Sequence, residues 1–149
     1  MILVDANVLL YAYDGSSPHH QAALRFWESC LSEPRPVRLA WQTVVAFLRI
    51  GTNPRALRSP MGLDEACHHV GTWLERPMVD LLEPTPRHWR IFERLLRRSQ
   101  AVANLVSDAH LAALAIEHGA TLCSTDRDFS RFEGLTWQDP LAREGQQKS

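Results

Sequence analysis

Short apolar runs, each followed by a helical stretch, constrain this chain more than any other feature. "MILV" (1–4), "VRLAW" (37–41), "MVDLL" (78–82) and "ATLCST" (120–125) read as short strands, with "FEGLTW" (132–137) as a final one. Between them lie helical patterns. Asp5 to Tyr13 is an apolar stretch with Asp5 or Asn7 near its cap. His19 to Leu31 is amphipathic, with Ala22, Ala23, Phe26, Trp27 and Cys30 on its apolar side. Gln42–Ile50, Leu63–Glu75 and Arg87–Gln100 follow, the last with Trp89, Phe92, Leu95 and Leu96 facing inward. Ser107–His118 carries the fullest signal: Ser107 as cap, Asp108 in the first turn, an apolar stripe, then Gly119 as stop. Buried strands alternating with helices predict an α/β domain with a mainly parallel sheet. In such a sheet, sites form beyond the carboxyl ends of the strands.

Length and composition narrow the classes. The chain has 149 residues, enough for one compact domain with a real core. It contains no apolar run long enough to span a membrane. No basic region precedes the first apolar run, which Asp5 interrupts, so a secretory signal is not expected. Cys30, Cys67 and Cys123 are widely spaced and form no CxxC pair, which argues against a zinc site or a disulfide framework. A reducing, cytoplasmic setting is the expectation.

Two of the predicted strands deliver aspartates at their ends: Asp5 after the first, Asp126 and Asp128 after a late one. Neighbouring parallel strands would bring these carboxylates to one edge of the sheet, with Asp108 able to join them. Taken singly, each has a plainer role. Asp5 could cap a helix, Asp108 could be an acid stabilised by the helix dipole, and Asp126 and Asp128 could form a turn. Together they would repel strongly unless compensated. The common compensation is a divalent cation with hard oxygen ligands, Mg²⁺ or Mn²⁺. Such an ion can activate water and stabilise charge on phosphate, so the cluster points to phosphoryl chemistry on nucleic acid. Asn7 and Thr125 are polar neighbours able to orient a carboxylate or a water, although capping is their simpler role. His19 and His20 are expected in a solvated turn, and His110 on a solvated helix face. Trp27, Trp41, Trp73 and Trp89 are expected in the core.

The same residues carry a resemblance to a known family. "MILVDANVLLYAYD", "NLVSDAHLAALAIEHGA" and "STDRDFSRFEGL", with the central "WQTVVAFLRIGTNPR", resemble PIN-domain ribonucleases. More narrowly, they resemble VapC-type toxins of bacterial type II toxin–antitoxin pairs, especially a mycobacterial-like branch. The resemblance spans Met1 to Leu141 and leaves a polar tail at 142–149. It implies a PIN-like three-layer α/β/α sandwich with a mainly parallel central sheet and an acidic, Mg²⁺-dependent pocket that cleaves RNA, tRNA or rRNA being the structured RNAs expected. Matched by position, Asp5, Asp108 and Asp126 would hold the metal and Asp128 would assist. Asn7 and Thr125 match supporting polar positions. A cognate VapB-like antitoxin and a homodimer are implied as partners. One position departs: Ala46 in "VVAFLRI" stands where many members carry glutamate, and nearby Gln42 is uncharged. The remaining aspartates suit one Mg²⁺ rather than two.

Arginine is distributed unevenly. Fifteen of the sixteen basic residues are arginine, and five lie between Pro34 and Leu63 with no acid among them. Five more lie between Arg87 and Arg98, against Glu93 alone. Solvated helix faces account for this as readily as a nucleic-acid footprint does. Arg49 and Arg55 are the candidate RNA-phosphate contacts, because a planar guanidinium can bind two oxygens at once. A second reading is a non-catalytic PIN-like module that binds RNA or protein, weakened by Ala46. A haloacid-dehalogenase-type phosphatase also opens with a strand ending in Asp, but it needs a second Asp where this chain has Asn7.

Overall fold

A computed structural model of the chain describes residues 1–142, so the tail expected at 142–149 lies, but for Ala142, outside the described residues. Five strands form one sheet: β1 (Ile2–Val4), β2 (Val37–Ala40), β3 (Val79–Leu82), β4 (Thr121–Cys123) and β5 (Trp137–Gln138). Every pairing is parallel and the order is β3-β2-β1-β4-β5. From β1 the chain steps outward to β2 and β3, then returns to lay β4 on the other side of β1. The strand order therefore reverses between β1 and β4, where a parallel sheet leaves a crevice at its carboxyl edge.

The helices are α1 (Ala6–Tyr13), α2 (His20–Ser32), α3 (Trp41–Gly51), α4 (Leu63–Leu74), α5 (His88–Ser99) and α6 (Asn104–His118), with a short 3₁₀ helix at Arg127–Arg131. Alternation along β1 assigns them to two layers. Ile2 and Val4, with Val37, Leu39 and Val79, face α1 to α4 and pack on Leu9, Trp27, Phe47 and Trp73. Leu3, with Ala40, Leu82 and Leu122, faces α5 and α6 and packs on Leu95, Leu111 and Leu114. The result is the expected three-layer α/β/α sandwich. Each fully buried side chain of this kind stabilises the fold by about 1.5–3 kcal/mol. Trp73 ties the first layer together. Its ring meets Trp27 and Phe47 edge-on at 5.5 and 4.7 Å, and its Nε1 donates to the Tyr13 hydroxyl at 2.8 Å. No helix among the described residues is long and apolar enough to cross a membrane.

Several local expectations change. Trp41 and Trp89 are 52% and 62% exposed rather than core residues. The buried stripe of α3 is set by Thr43, Val44, Phe47 and Gly51, and that of α5 by Ile91 and Leu95, so both tryptophans fall off the stripe. Helix α6 starts at Asn104, not Ser107. The chain leaves α5 through Gln100 and Ala103, both at positive φ (53° and 55°), and enters α6 with no side-chain cap. Ser107 thus lies inside the helix and Asp108 in its second turn. The final strand is Trp137–Gln138, later than "FEGLTW" suggests, because residues 132–136 form a turn through Gly134 at positive φ (90°). Gly119 does stop α6, in the left-handed conformation (φ 65°) that costs glycine least.

Candidate metal centre

The register of β1 against β4 builds the site. Val4 pairs with Cys123, so Asp5 and Ser124 leave the sheet side by side at its carboxyl edge, where the Asp5 amide still donates to the Cys123 carbonyl at 2.9 Å. Asp5 then caps α1, its Oδ1 accepting from the Ala6 amide at 2.8 Å. Capping and a place in the acidic site are therefore the same geometry rather than alternatives.

Ser124 lies fully buried at the centre. Its hydroxyl donates to Asp5 Oδ2 at 2.8 Å, and accepts from Asn7 Nδ2 and from the Asp126 amide, both at 3.1 Å. One donor and two acceptor positions are all a hydroxyl has, and all are used. The Asn7 side-chain oxygen accepts from the Thr125 amide at 3.3 Å. Asn7 thus joins the two strand ends, and Thr125 contributes its backbone to that link. Asp126 caps the 3₁₀ helix, accepting from the Asp128 amide at 2.9 Å, which points both acids outward from one turn.

Asp108 comes to this turn from α6. Carboxylate oxygens of Asp108, Asp126 and Asp128 lie within 4.8 Å of one another. Asp5 sits deeper, each of its oxygens accepting one hydrogen bond, from Ala6 and from Ser124. Burial raises the Asp5 carboxyl above the usual range, against the pull of its two hydrogen bonds, and the Asp126 charge adds to the rise. Burial also lifts Asp108 to about 6, helped by the charges of Asp126, Asp5 and Asp128. Among the described residues, no arginine is among the charges acting on either group. Arg131 approaches Asp128 at 3.6 Å, but that pair is exposed and weak. Three hard oxygen donors at this spacing, held against their own repulsion, fit a small divalent cation.

The other candidates lie elsewhere. Arg49 lies in the last turn of α3 and Arg55 in the turn beyond it; both are exposed. Ala46 is half buried one turn beyond Gln42, whose amide donates to the Ser107 carbonyl at 3.4 Å and so spans from α3 to the residue before Asp108. His110 is not on a solvated face. Its Nδ1 meets His88 Nε2 at 2.8 Å, and His88 Nδ1 meets Glu117 Oε1 at 2.7 Å. Positions 108 and 110 point to opposite sides of α6, so this chain of groups clamps α5 to α6 and is separate from the acids. The sequence marks Thr125, not Ser124, as the polar neighbour of the acids. Only the strand register distinguishes them, since it puts Ser124 opposite Asp5.

Comparison with known proteins agrees with this geometry. A family model described as the PIN domain matches residues 2–135. Ribonuclease VapC37 of Mycobacterium tuberculosis is 45% identical over 142 residues, covering 95% of this chain and 99% of that protein. Ribonuclease VapC33 of the same species is 39% identical over 141 residues, at 95% and 99% coverage. Among solved structures, VapBC2 from Rickettsia felis bound to a promoter DNA fragment superposes with a TM-score of 0.67 at 15% identity, covering 93% of this chain and 98% of that one. VapC20 of M. tuberculosis, titled a sarcin–ricin loop cleaving toxin, gives 0.64 at 20% identity, with 91% and 99% covered. At these identities the superpositions speak for the fold alone. The family match and the end-to-end relatives establish the rest: this chain belongs to the PIN-domain family, in its VapC branch.

Proposed function

We propose that the protein is a metal-dependent endoribonuclease and the toxin of a type II toxin–antitoxin pair, with Mg²⁺ as its ion and Mn²⁺ as a substitute. The observation that carries this reading is the convergence of Asp108, Asp126 and Asp128 at the crevice between β1 and β4. Relatives named ribonucleases support the RNA substrate, and structures titled VapBC support a VapB-like partner. Structured RNA, a tRNA or an rRNA loop, is the expected target.

In this reading Asp108, Asp126 and Asp128 hold the cation, and Asp5 completes the negative field from the floor. A bound divalent cation supplies an activated water near neutral pH and neutralises charge building on the phosphate. Ser124 and Asn7 fix Asp5 and the Asp126 turn, so the donors are oriented before any ion arrives. Arg49 and Arg55, both exposed, remain candidate phosphate contacts. The antitoxin would occupy the cleft and set a basic side chain against the carboxylates. A homodimer is supported by exposed Trp41 and Val45, one turn apart on α3, and Val106 on α6, brought near by the Gln42–Ser107 bond. Residues 1–141 would act as a single unit in the cytoplasm.

A non-catalytic PIN-like module that binds RNA or protein is the second reading, favoured by Ala46, which puts no carboxylate on α3. Incubating purified protein with tRNAs and rRNA fragments in Mg²⁺, Mn²⁺ or EDTA, beside Asp5→Asn and Asp126→Asn, separates the two. Metal-dependent cleavage lost in both variants supports the nuclease. A well-folded protein that binds these RNAs or a partner but cuts nothing in any metal would leave the binding module.

A further inference from the structure

We propose that the solvent face of α5 is a track for an RNA backbone leading to the acidic site, with Arg90, Arg94 and Arg97 as phosphate contacts and Trp89 as a base platform. The proposal rests on the ribonuclease reading and extends it to a surface outside the cleft.

Three observations carry it. The first is charge. Helix α5 holds four arginines against one glutamate in a chain of net charge −1. Among the described residues, Arg90 and Arg94 have no ion-pair partner, and Arg97 reaches Glu93 only at 3.8 Å in an exposed pair. Arg90–Arg94 and Arg94–Arg98 are like-charged pairs four residues apart, an arrangement that destabilises an isolated helix. An anionic partner lying along the face reverses the sign of that interaction.

The second is shape. Ile91 and Leu95 set the buried side of α5, which leaves Arg90, Arg94 and Arg97 on one solvent stripe. The stripe is about 10 Å long at 1.5 Å per residue. Trp89 sits at its amino-terminal end. Its ring is held edge-on by Phe92 at 5.9 Å yet remains 62% exposed. A fixed, exposed aromatic beside unpaired guanidiniums is the combination that binds single-stranded nucleic acid, where the bases stack and the backbone is neutralised.

The third is position. Arg98, in the last turn of α5, binds Glu133 with Nη1 2.6 Å from Oε2. Glu133 closely follows the 3₁₀ helix that carries Asp128. That contact, although exposed, sets the carboxyl-terminal end of the stripe against the segment that follows the acidic turn, and the track runs outward from there.

The test is equilibrium binding of a fluorescent single-stranded RNA in EDTA over a range of KCl concentrations. It compares wild type, Arg90→Gln/Arg94→Gln/Arg97→Gln, Trp89→Ala, and Arg25→Gln as a control on exposed α2. Cleavage in Mg²⁺ is followed in parallel. Each lost contact to a single strand lowers the slope of log affinity against log salt by about 0.7, so the triple variant should lose about 2 units of slope. Trp89→Ala should weaken binding about tenfold or more with its slope retained, because stacking is not electrostatic. Arg25→Gln should match wild type. A triple variant with wild-type slope and affinity, beside a wild type that cleaves RNA, overturns the track and leaves the nuclease standing. So does a triple variant that binds RNA normally but changes sedimentation or antitoxin capture, which would make α5 a protein interface. A wild type that neither cuts nor binds RNA removes both readings.

Discussion

Ser124 is the smallest side chain in the acidic site and spends its whole hydrogen-bonding capacity there. Replacing it with alanine leaves a buried Asp5 oxygen, the Asn7 amide and the Asp126 amide each short of a partner. Ser124→Ala should cost about 1–3 kcal/mol, the usual penalty for buried polar groups left unsatisfied. Urea unfolding in EDTA would measure this, and cleavage should require more Mg²⁺ for the same rate. Asp108 predicts an opposite effect on stability. Its carboxyl titrates at about 6, above the unfolded value of 3.8, so the fold favours the protonated form. That group's contribution is most favourable below pH 3.8 and is lost as pH rises through about 6. Asp108→Asn should therefore stabilise the metal-free protein at pH 7.5. After discounting for its partial exposure, the gain is about 1 kcal/mol, or roughly 2–4 °C in melting temperature. The gain should vanish near pH 4, and RNA cleavage should be abolished. A lower melting temperature in EDTA at pH 7.5 would contradict this account of the site. Asp5, Asp126 and Asp128 were legible as candidates because they follow apolar runs, and Asp108 because it stands near the start of the helix that leads into the late strand. Ser124 was not, because a hydroxyl next to another hydroxyl reveals its role only through strand register.

Among the elements, the α5–α6 pair departs furthest from its sequence reading. Glu117, a charged residue near the end of α6, is 6% exposed and does not reach solvent. Instead it accepts from the Thr85 amide and hydroxyl at 3.3 and 2.7 Å and holds His88, which holds His110. Burial, with the His88 charge adding to it, lowers the His110 imidazole below its usual 6.5. The folded state therefore binds a proton there less readily than the unfolded chain, and stability falls as pH drops below about 6.5. Glu117→Gln keeps the volume but replaces one carboxylate oxygen with an amide nitrogen, which cannot accept. We expect a loss of about 3 kcal/mol, typical when one member of a buried charged network is removed. Set against His110→Asn, which keeps every other titrating group, the wild type should lose stability between pH 7.5 and 5.5 in urea unfolding curves, and an unchanged difference between the two proteins would contradict this. Helix existence was legible from apolar spacing, and Gly119 fixed the end of α6. The start of α6 was not, because "SDAH" looks like a cap while the actual entry uses positive-φ backbone at Gln100 and Ala103.

At the scale of the whole molecule, the proposed ion site would couple ion binding to folding. An ion that binds only the folded state stabilises it by about 2.7 kcal/mol at a hundred times its dissociation constant. Mg²⁺ should thus raise the melting temperature of the wild type in a concentration-dependent way, and Asp126→Asn should flatten that response. An equal response in Asp126→Asn would place the ion elsewhere. The sequence by itself determined the layers: β1 is apolar at every position and β2 and β3 are apolar at all but one, strands of that kind are buried on both faces, and helices must then cover both sides of a parallel sheet. It also determined which carboxylates stand at strand ends. Tertiary structure alone decided which of them meet. The strand order reverses between β1 and β4, an arrangement set by crossovers that no local pattern encodes, and this brings residues 5, 108, 126 and 128 together. It decided the surface in the same way. Trp41 and Trp89 carry the same side chain as Trp27 and Trp73, and only the rotation of each helix on its neighbours leaves the first two in solvent and the others in the core.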